Sequence, residues 1–319
     1  MLDDRVLELF ADGHTIVLQA LHRLWPPLID FAAQLTAELG HPAQINAYIT
    51  PASAQGFGAH YDVHDVFILQ IDGRKQWIVH EPVFLHPLRT QPWGDHRDAV
   101  AGRTREGSAI DTVLEPGDVL YLPRGYIHSA KALGGTCIHL TVGVQPYTRQ
   151  TLVEAIAALA ADDHLLRRSL PLGIDITDAG DLEQETDATV EALIEGLRRI
   201  GAADLAPVLE RRTRAATRPA PLGPLAQAAA LSTIDLDTVL EPRGHLRIAI
   251  ETGENDVAVM LSGRRVSFSP ELHAALSELL EDRRPLRLGD LDGLSEEDAL
   301  VVGRRLVQSG LAVLALDTQ

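Results

Sequence analysis

From Gln44 to Val144 the apolar side chains recur mainly at every second position, in short runs broken by turns that contain Gly or Pro. This period-two pattern limits the fold more than any other feature of the chain. A strand sends successive side chains to opposite faces, so a half-buried strand reads as alternation, whereas a helix repeats every 3.6 residues. The runs are Gln44–Thr50, the stretch Gly58–Trp77, Ala109–Leu114, Val119–Leu122 and Thr136–Val144. Asp72-Gly73 is a hairpin signal that makes Lys75–His80 a return strand, and Glu115–Asp118 and Pro123–Gly125 supply two more turns. Many short strands joined in this way predict a closed or sandwiched antiparallel sheet of the jelly-roll type, whose interior can hold a small ligand. Residues 81–107 carry Pro, Gly and charge without a period, which predicts a long loop, either a lid or disordered.

On either side the period becomes helical. The first residues read as a short helix and then a strand within Thr15–Leu21. Pro26 and Pro27 open a helix over Leu28–Leu39 that Gly40 closes. From Thr148 to Arg214, Leu152–Ala160 and Ala188–Ile200 are amphipathic helices with acids on their polar faces, a pattern that predicts a homodimer. A Pro- and Ala-rich linker, Ala215–Ala226, follows. Beyond it come a strand pair (His245–Glu251 and Asp256–Leu261) and a helix (Pro270–Leu280). A second helix starts at Ser295, with Asp298 completing an approximate capping box, and a closing strand covers Leu311–Leu316. That order resembles a winged-helix module. The expected class is α+β in three parts: residues 1–147 a catalytic jelly roll, 148–226 a helical dimerisation region and linker, 227–319 a winged-helix-like domain.

A formal net charge of -17 over 319 residues argues against nucleic-acid binding, because phosphate contacts require a basic face. The last segment has no basic recognition helix, so DNA binding is not expected of it. An acidic surface suits a basic partner, and equally suits solubility. No apolar run approaches the ~20 residues of a membrane-spanning helix, and no signal peptide is visible at the start. The single cysteine, Cys137, excludes an intramolecular disulfide and fits a cytoplasmic protein.

Read as a strand, the stretch around His60 puts His60 and Asp62 on one face, where they could grip a metal ion together. His128, just after the Pro123–Gly125 turn, offers a third ligand. Two imidazoles and one carboxylate on one side of an iron ion leave the other positions open, the facial-triad arrangement of non-haem Fe(II) oxygenases. His64 and Asp65 compete for the role: His64 shares the face of His60 and Asp62 and is expected to line the pocket, while Asp65 points the opposite way. An electron donor that chelates iron is also needed. In oxygenases of this type it is 2-oxoglutarate, whose far carboxylate requires a cation that Lys75 could supply. His139 reads as a core or supporting histidine, and His80, His86 and His96 as solvated or lid residues.

Asn46–Pro51, His60-Tyr-Asp62, Asp65–Gln70, Gly73–Trp77, Pro116–His128 and His139-Leu-Thr141 together resemble the JmjC-type, cupin-fold 2-oxoglutarate oxygenases, and within them most closely the ribosomal-protein hydroxylases. The resemblance is dense from Asn46 to Gln145 and elsewhere rests on architecture. It implies that His60, Asp62 and His128 ligate Fe(II), and that Lys75 pairs with the far carboxylate of 2-oxoglutarate. Tyr48 and Thr141 would add hydroxyl hydrogen bonds, with Asn46 lining the same pocket. The implied reaction is hydroxylation of an Arg or His side chain on a basic ribosomal protein. Two departures stand out: only 59 residues precede His60, and Gly143 stands where some relatives carry a hydroxyl. The competing expectations are a catalytically idle, dimeric cupin scaffold, and a cupin that uses another metal for isomerisation or hydrolysis.

Overall fold

The computed structural model describes residues 3–52, 54–261 and 263–314, apart from the side chains of 215 and 216. The chain divides into two compact units between Pro146 and Tyr147.

The first unit opens with α1 (Asp3–Ala11), β1 (Ile16–Leu18) and α2 (Pro26–Leu39). Proline is tolerated in the first turn of α2 because the backbone N–H groups there lack intrahelical partners. Gly40 ends the helix at φ +69°. Leu28 and Ala32 of this helix are buried with Ile45 and Val142, which fixes α2 against the sheet. The sheet is antiparallel, in the order β1, β2 (Ala43–Thr50), β6 (Ile127–Val144), β3 (Asp65–His80), β4 (Ile110–Leu114), with β5 (Val119–Leu122) also paired to β3.

Two long strands organise it. The front half of β3 pairs with the back half of β6 (Asp65↔Val144 to Gln70↔His139), and its back half with the front of β6 (Arg74↔Leu133 to His80↔Ile127). This corrects the predicted hairpin at Asp72-Gly73. Residues 65–80 are one strand, and the Asp-Gly dipeptide marks a bulge at which the register shifts. Lys75 accordingly pairs with Leu114 and Ala132 rather than with a strand carrying His60. The residue pair is right for either device, because both a tight hairpin and a glycine bulge need a positive φ, here +67° at Gly73. The buried positions change parity across it: Val66, Ile68 and Gln70 before, Lys75, Trp77 and Val79 after. Two register shifts, at Gln70/Asp72 and Asp72/Arg74, thus let both halves of the strand face inward. β6 likewise begins at Ile127, well before the predicted Thr136.

The segment 81–107 is not a bare loop. It contains a 3-10 turn at Trp93–His96 and helix α3 (Arg97–Arg103). Val100 is buried with Tyr61 and Ile127, and the Tyr61 hydroxyl donates to the Gln91 carbonyl at 3.0 Å. His86 is exposed and His96 stacks on Phe84 at 4.8 Å within the same segment, but His80 is buried at the end of β3, against the expectation that it is a solvated or lid residue.

In the second unit, α4 (Arg149–Ala160), α5 (Ala179–Arg199) and α6 (Ala202–Ala216) come first. α5 begins at Asp178, whose carboxylate accepts from the N–H groups of Gly180 and Asp181. Since α6 runs to Ala216 and α7 (Pro224–Ala230) starts at Pro224, the extended linker is shorter than predicted. The remainder holds β7 (Val239–Pro242), β8 (Ala249–Thr252), β9 (Val257–Leu261), β10 (Arg264–Phe268), α8 (His273–Leu280), β11 (Leu286–Arg287), α9 (Glu296–Gln308) and β12 (Ala312–Leu314). They form two three-stranded sheets, β10-β9-β8 and β11-β7-β12, over a core that includes Leu240, Val259, Leu276, Leu279 and Leu306. Ser295 caps α9, accepting from the Asp298 N–H. The predicted final strand is present over Ala312–Leu314, while Ala315 and Leu316 lie outside the described residues.

Candidate metal and co-substrate site

His60 lies just ahead of β3 and forms an isolated antiparallel bridge to His128, the second residue of β6. The turn before β6 is tied to the same segment, since the Gly125 N–H donates to the Asp62 carbonyl at 3.0 Å. These local bonds bring together side chains 68 positions apart in sequence. Ligand atoms of His60, Asp62 and His128 all lie within 4.8 Å of one another. The imidazole centroids of His60 and His128 are 4.5 Å apart, and His128 Nε2 is 3.7 Å from Asp62 Oδ2.

The second nitrogen of each ring decides what the first can do. His60 Nδ1 is 2.8 Å from the Gly58 carbonyl and His128 Nδ1 3.1 Å from the Tyr126 carbonyl. A carbonyl only accepts, so each Nδ1 carries a proton and Nε2 is the ring nitrogen left to bind a metal. Burial, with the neighbouring His60, holds the His128 imidazole below its ordinary pKa and therefore neutral. Two imidazoles and a carboxylate with open positions fit a ferrous ion, and the backbone carbonyls fix the ring orientation as metal sites require. His64 and Asp65 stand outside this cluster. Asp65 Oδ1 accepts from the Arg124 N–H at 2.8 Å, a turn-fixing role.

The triad opens into a cavity of about 390 Å³ whose wall also includes Asn46, Tyr48, Lys75, Trp77, His139 and Thr141. That size suits a small molecule. Every residue expected at the site therefore borders one space. Lys75 is 2% exposed and, among the described residues, bonded to no carboxylate. Its Nζ donates to Thr50 Oγ1 at 3.0 Å and to His139 Nδ1 at 3.4 Å. Burial lowers its pKa, as a cation without a counter-charge demands. Tyr48 stacks on His139 at 4.9 Å, and its hydroxyl is held in the protonated form by burial and by the nearby Asp62 charge. Asn46 Oδ1 accepts from the Ala20 N–H at 2.9 Å, so it anchors the preceding segment as well as lining the cavity.

Thr50 and Trp77 belong to the site although no reading of the sequence assigned them to it. The signal was the same alternation: Thr50 follows Asn46 and Tyr48 by even steps, and Trp77 follows Lys75 by two. His64 has a specific place. A Cβ on Gly143 would come within 2.7 Å of His64 Cδ2 and 2.8 Å of Nε2, so the imidazole fills the space that a side chain at 143 would need.

Residues 27–152 match the family model of the JmjC domain. Human ribosomal oxygenase 1 is 38% identical over 151 residues, covering 44% of this chain and 23% of that protein. Rat ribosomal oxygenase 2 is 31% identical over 173 residues, covering 50% and 36%. The Caenorhabditis elegans bifunctional lysine-specific demethylase and histidyl-hydroxylase NO66 is 35% identical over 138 residues, covering 40% and 18%. The chain thus spans well under half the length of these relatives. Among solved structures, Escherichia coli ycfD aligns over 94% of this chain and 78% of its own, at 22% identity and a TM-score of 0.51, so the fold is shared. Residues 27–152 thus match the JmjC domain, on a cupin-type α+β fold shared with that solved structure.

Proposed function

We propose that the chain is an Fe(II)- and 2-oxoglutarate-dependent protein hydroxylase, with His60, Asp62 and His128 as the iron ligands. The observation that carries the reading is the pairing of that triad with a buried, acid-free lysine across one cavity. A triad alone could serve many metals. A buried ammonium with no carboxylate partner calls for an anion from outside the chain, and a dicarboxylate can bridge it to a metal. Iron bound here would supply oxidation by O₂, splitting 2-oxoglutarate into succinate and CO₂ and placing the second oxygen atom in a substrate C–H bond.

The chain's own residues bind and orient. The two Nδ1–H groups, fixed on Gly58 and Tyr126, hold both rings with Nε2 toward the ion. Lys75, with the hydroxyls of Tyr48 and Thr141, receives the far carboxylate, and Asn46 lines the same end. Trp77, 6.0 Å from the His128 ring and 5.4 Å from that of His139, walls the path between metal and ammonium and excludes water from it. The relatives' names, ribosomal oxygenase and histidyl-hydroxylase, support a ribosomal-protein side chain as substrate, His by name and Arg by the resemblance to ribosomal-protein hydroxylases, and the net charge of -17 suits a basic segment. We assign residues 1–147 to catalysis, 148–226 to dimerisation and 227–319 to a winged-helix-like domain that does not bind DNA. A cytoplasmic location accords with this partner, and no described helix is long and apolar enough to cross a membrane. An idle scaffold would leave the buried cation without a purpose.

Purified chain supplied with Fe(II), 2-oxoglutarate and O₂ releases succinate on this reading, and the double variant His60→Ala, Asp62→Ala loses both that release and tight iron binding. Iron held equally well by the double variant would refute the site. Mass spectrometry of ribosomal proteins from cells with and without the chain then identifies the substrate by a gained oxygen atom.

A further inference from the structure

The Lys75 ammonium has three N–H groups and sits among fixed partners. One N–H is given to Thr50 Oγ1 at 3.0 Å and a second to His139 Nδ1 at 3.4 Å. Thr50 is fully buried, and its hydroxyl also accepts from Thr15 Oγ1 at 3.3 Å. His139 is 3% exposed and cannot swing away: Tyr48 lies parallel to it, with centroids 4.9 Å apart and an interplanar angle of 11°, and Trp77 meets it edge-on at 5.4 Å. A lysine side chain has four flexible torsions, so an ammonium without such partners would sample several directions.

We propose that His139 and Thr50 are positioning residues for the co-substrate: by accepting two of the three Lys75 N–H bonds they aim the third at the far carboxylate of 2-oxoglutarate. The role goes beyond the lysine's charge, because it makes affinity depend on two neutral acceptors that fix the ammonium's direction. His139 must remain uncharged to accept, and it does: burial and the adjacent Lys75 push its pKa down to about 3, so Nδ1 keeps its lone pair at every physiological pH. The stacked rings give the arrangement a second consequence. Displacing His139 also releases Tyr48, which contributes its hydroxyl at the same end of the cavity.

The inference rests on the proposed function, and one titration separates the two. Calorimetry of 2-oxoglutarate into Mn(II)-loaded chain is carried out for the parent and for His139→Phe, His139→Asn, Thr50→Val and Thr50→Ser. Phe keeps a ring for Tyr48 and Trp77 but removes the acceptor, and Asn restores an acceptor without the ring. The expected result is about tenfold weaker binding for His139→Phe and Thr50→Val, the scale of one lost hydrogen bond to a charged group, with substantial recovery in His139→Asn and Thr50→Ser. Mn(II) affinity stays at the parent value throughout. In turnover, KM for 2-oxoglutarate rises while kcat at saturation holds. Parent-like 2-oxoglutarate affinity in both acceptor-deleted variants would overturn the inference and leave the oxygenase reading intact. A parent chain that binds Mn(II) but no 2-oxoglutarate would overturn that reading, and this inference with it. Loss of folding in a His139 variant leaves the Thr50 pair to decide.

Discussion

Gly143 and His64 make a pair that neither residue explains alone. Any side chain at 143 must share space with the His64 ring, because its Cβ would stand 2.7 Å from Cδ2. The obstacle is the far end of a side chain rather than backbone, so the cost of Gly143→Ser is that of turning an imidazole aside, about 1 kcal/mol. Gly143→Ser in a His64→Ala background meets no such obstacle, and the two changes are therefore strongly non-additive. Chemical denaturation of the four members of the cycle measures this, and additive free energies would mean that the ring does not occupy the site. At this scale the chemistry was largely legible. His60-x-Asp62 is a spacing and His128 follows a turn signal, whereas Lys75, flanked by Arg74 and Gln76, looks on spacing alone like an ordinary exposed lysine. What alternation alone leaves open is which of His60, Asp62 and His64 join the ligand set. In three dimensions the donor atoms of His60 and Asp62 converge with those of His128 within 4.8 Å, while His64 lies against Gly143.

Among the elements, the bulged strand β3 does most to build the site. Its inward positions switch from even to odd at Gly73, which is how Lys75 and Trp77 come to border the same cavity as Val66 and Ile68. The sequence carries this switch openly, since Val66, Ile68 and Lys75, Trp77, Val79 are out of phase. A hairpin and a bulge nonetheless produce the same break and prefer the same Asp-Gly pair. The deciding fact is the partner: β6 runs past the break on both sides, and a strand's partner is a long-range property that local pattern does not hold. Helix α3 escaped for a different reason, being too short to display a helical period and anchored mainly through Val100. Gly73→Val tests the bulge. The residue sits at φ +67°, and a Cβ there would lie 2.5 Å from the Thr136 carbonyl oxygen, so strain and overlap together cost about 3 kcal/mol. Urea denaturation gives the loss. Because the bulge sets the phase of Lys75 and not that of the triad, 2-oxoglutarate binding falls further than iron binding. Equal losses in the two would detach the bulge from the placement of the lysine.

At the level of the whole molecule, the question is what covers the second unit's exposed apolar side chains. Along α5, Val190, Ile194 and Leu197 are 48%, 44% and 39% exposed and fall at i, i+4 and i+7, one face of one helix. On α4, Leu152 and Val153 are also exposed. Such a stripe is the surface that the proposed homodimer would bury, at about 25 cal/mol per Å² of apolar area removed from water. The opposing force is equally clear, because two chains of net charge -17 repel each other. The two forces respond oppositely to salt: added ions screen the repulsion and leave the apolar contact untouched. The dimer, read by light scattering at micromolar concentration, therefore tightens from low to physiological salt, whereas an interface built on ion pairs would loosen. Val190→Glu with Ile194→Glu adds charge to the stripe and removes apolar area, and yields a monomer. That monomer retains iron and 2-oxoglutarate binding, since the site's residues all come from the first unit. A parent chain that is monomeric at micromolar concentration, or a dimer unaffected by the two glutamates, would exclude α5 as the interface.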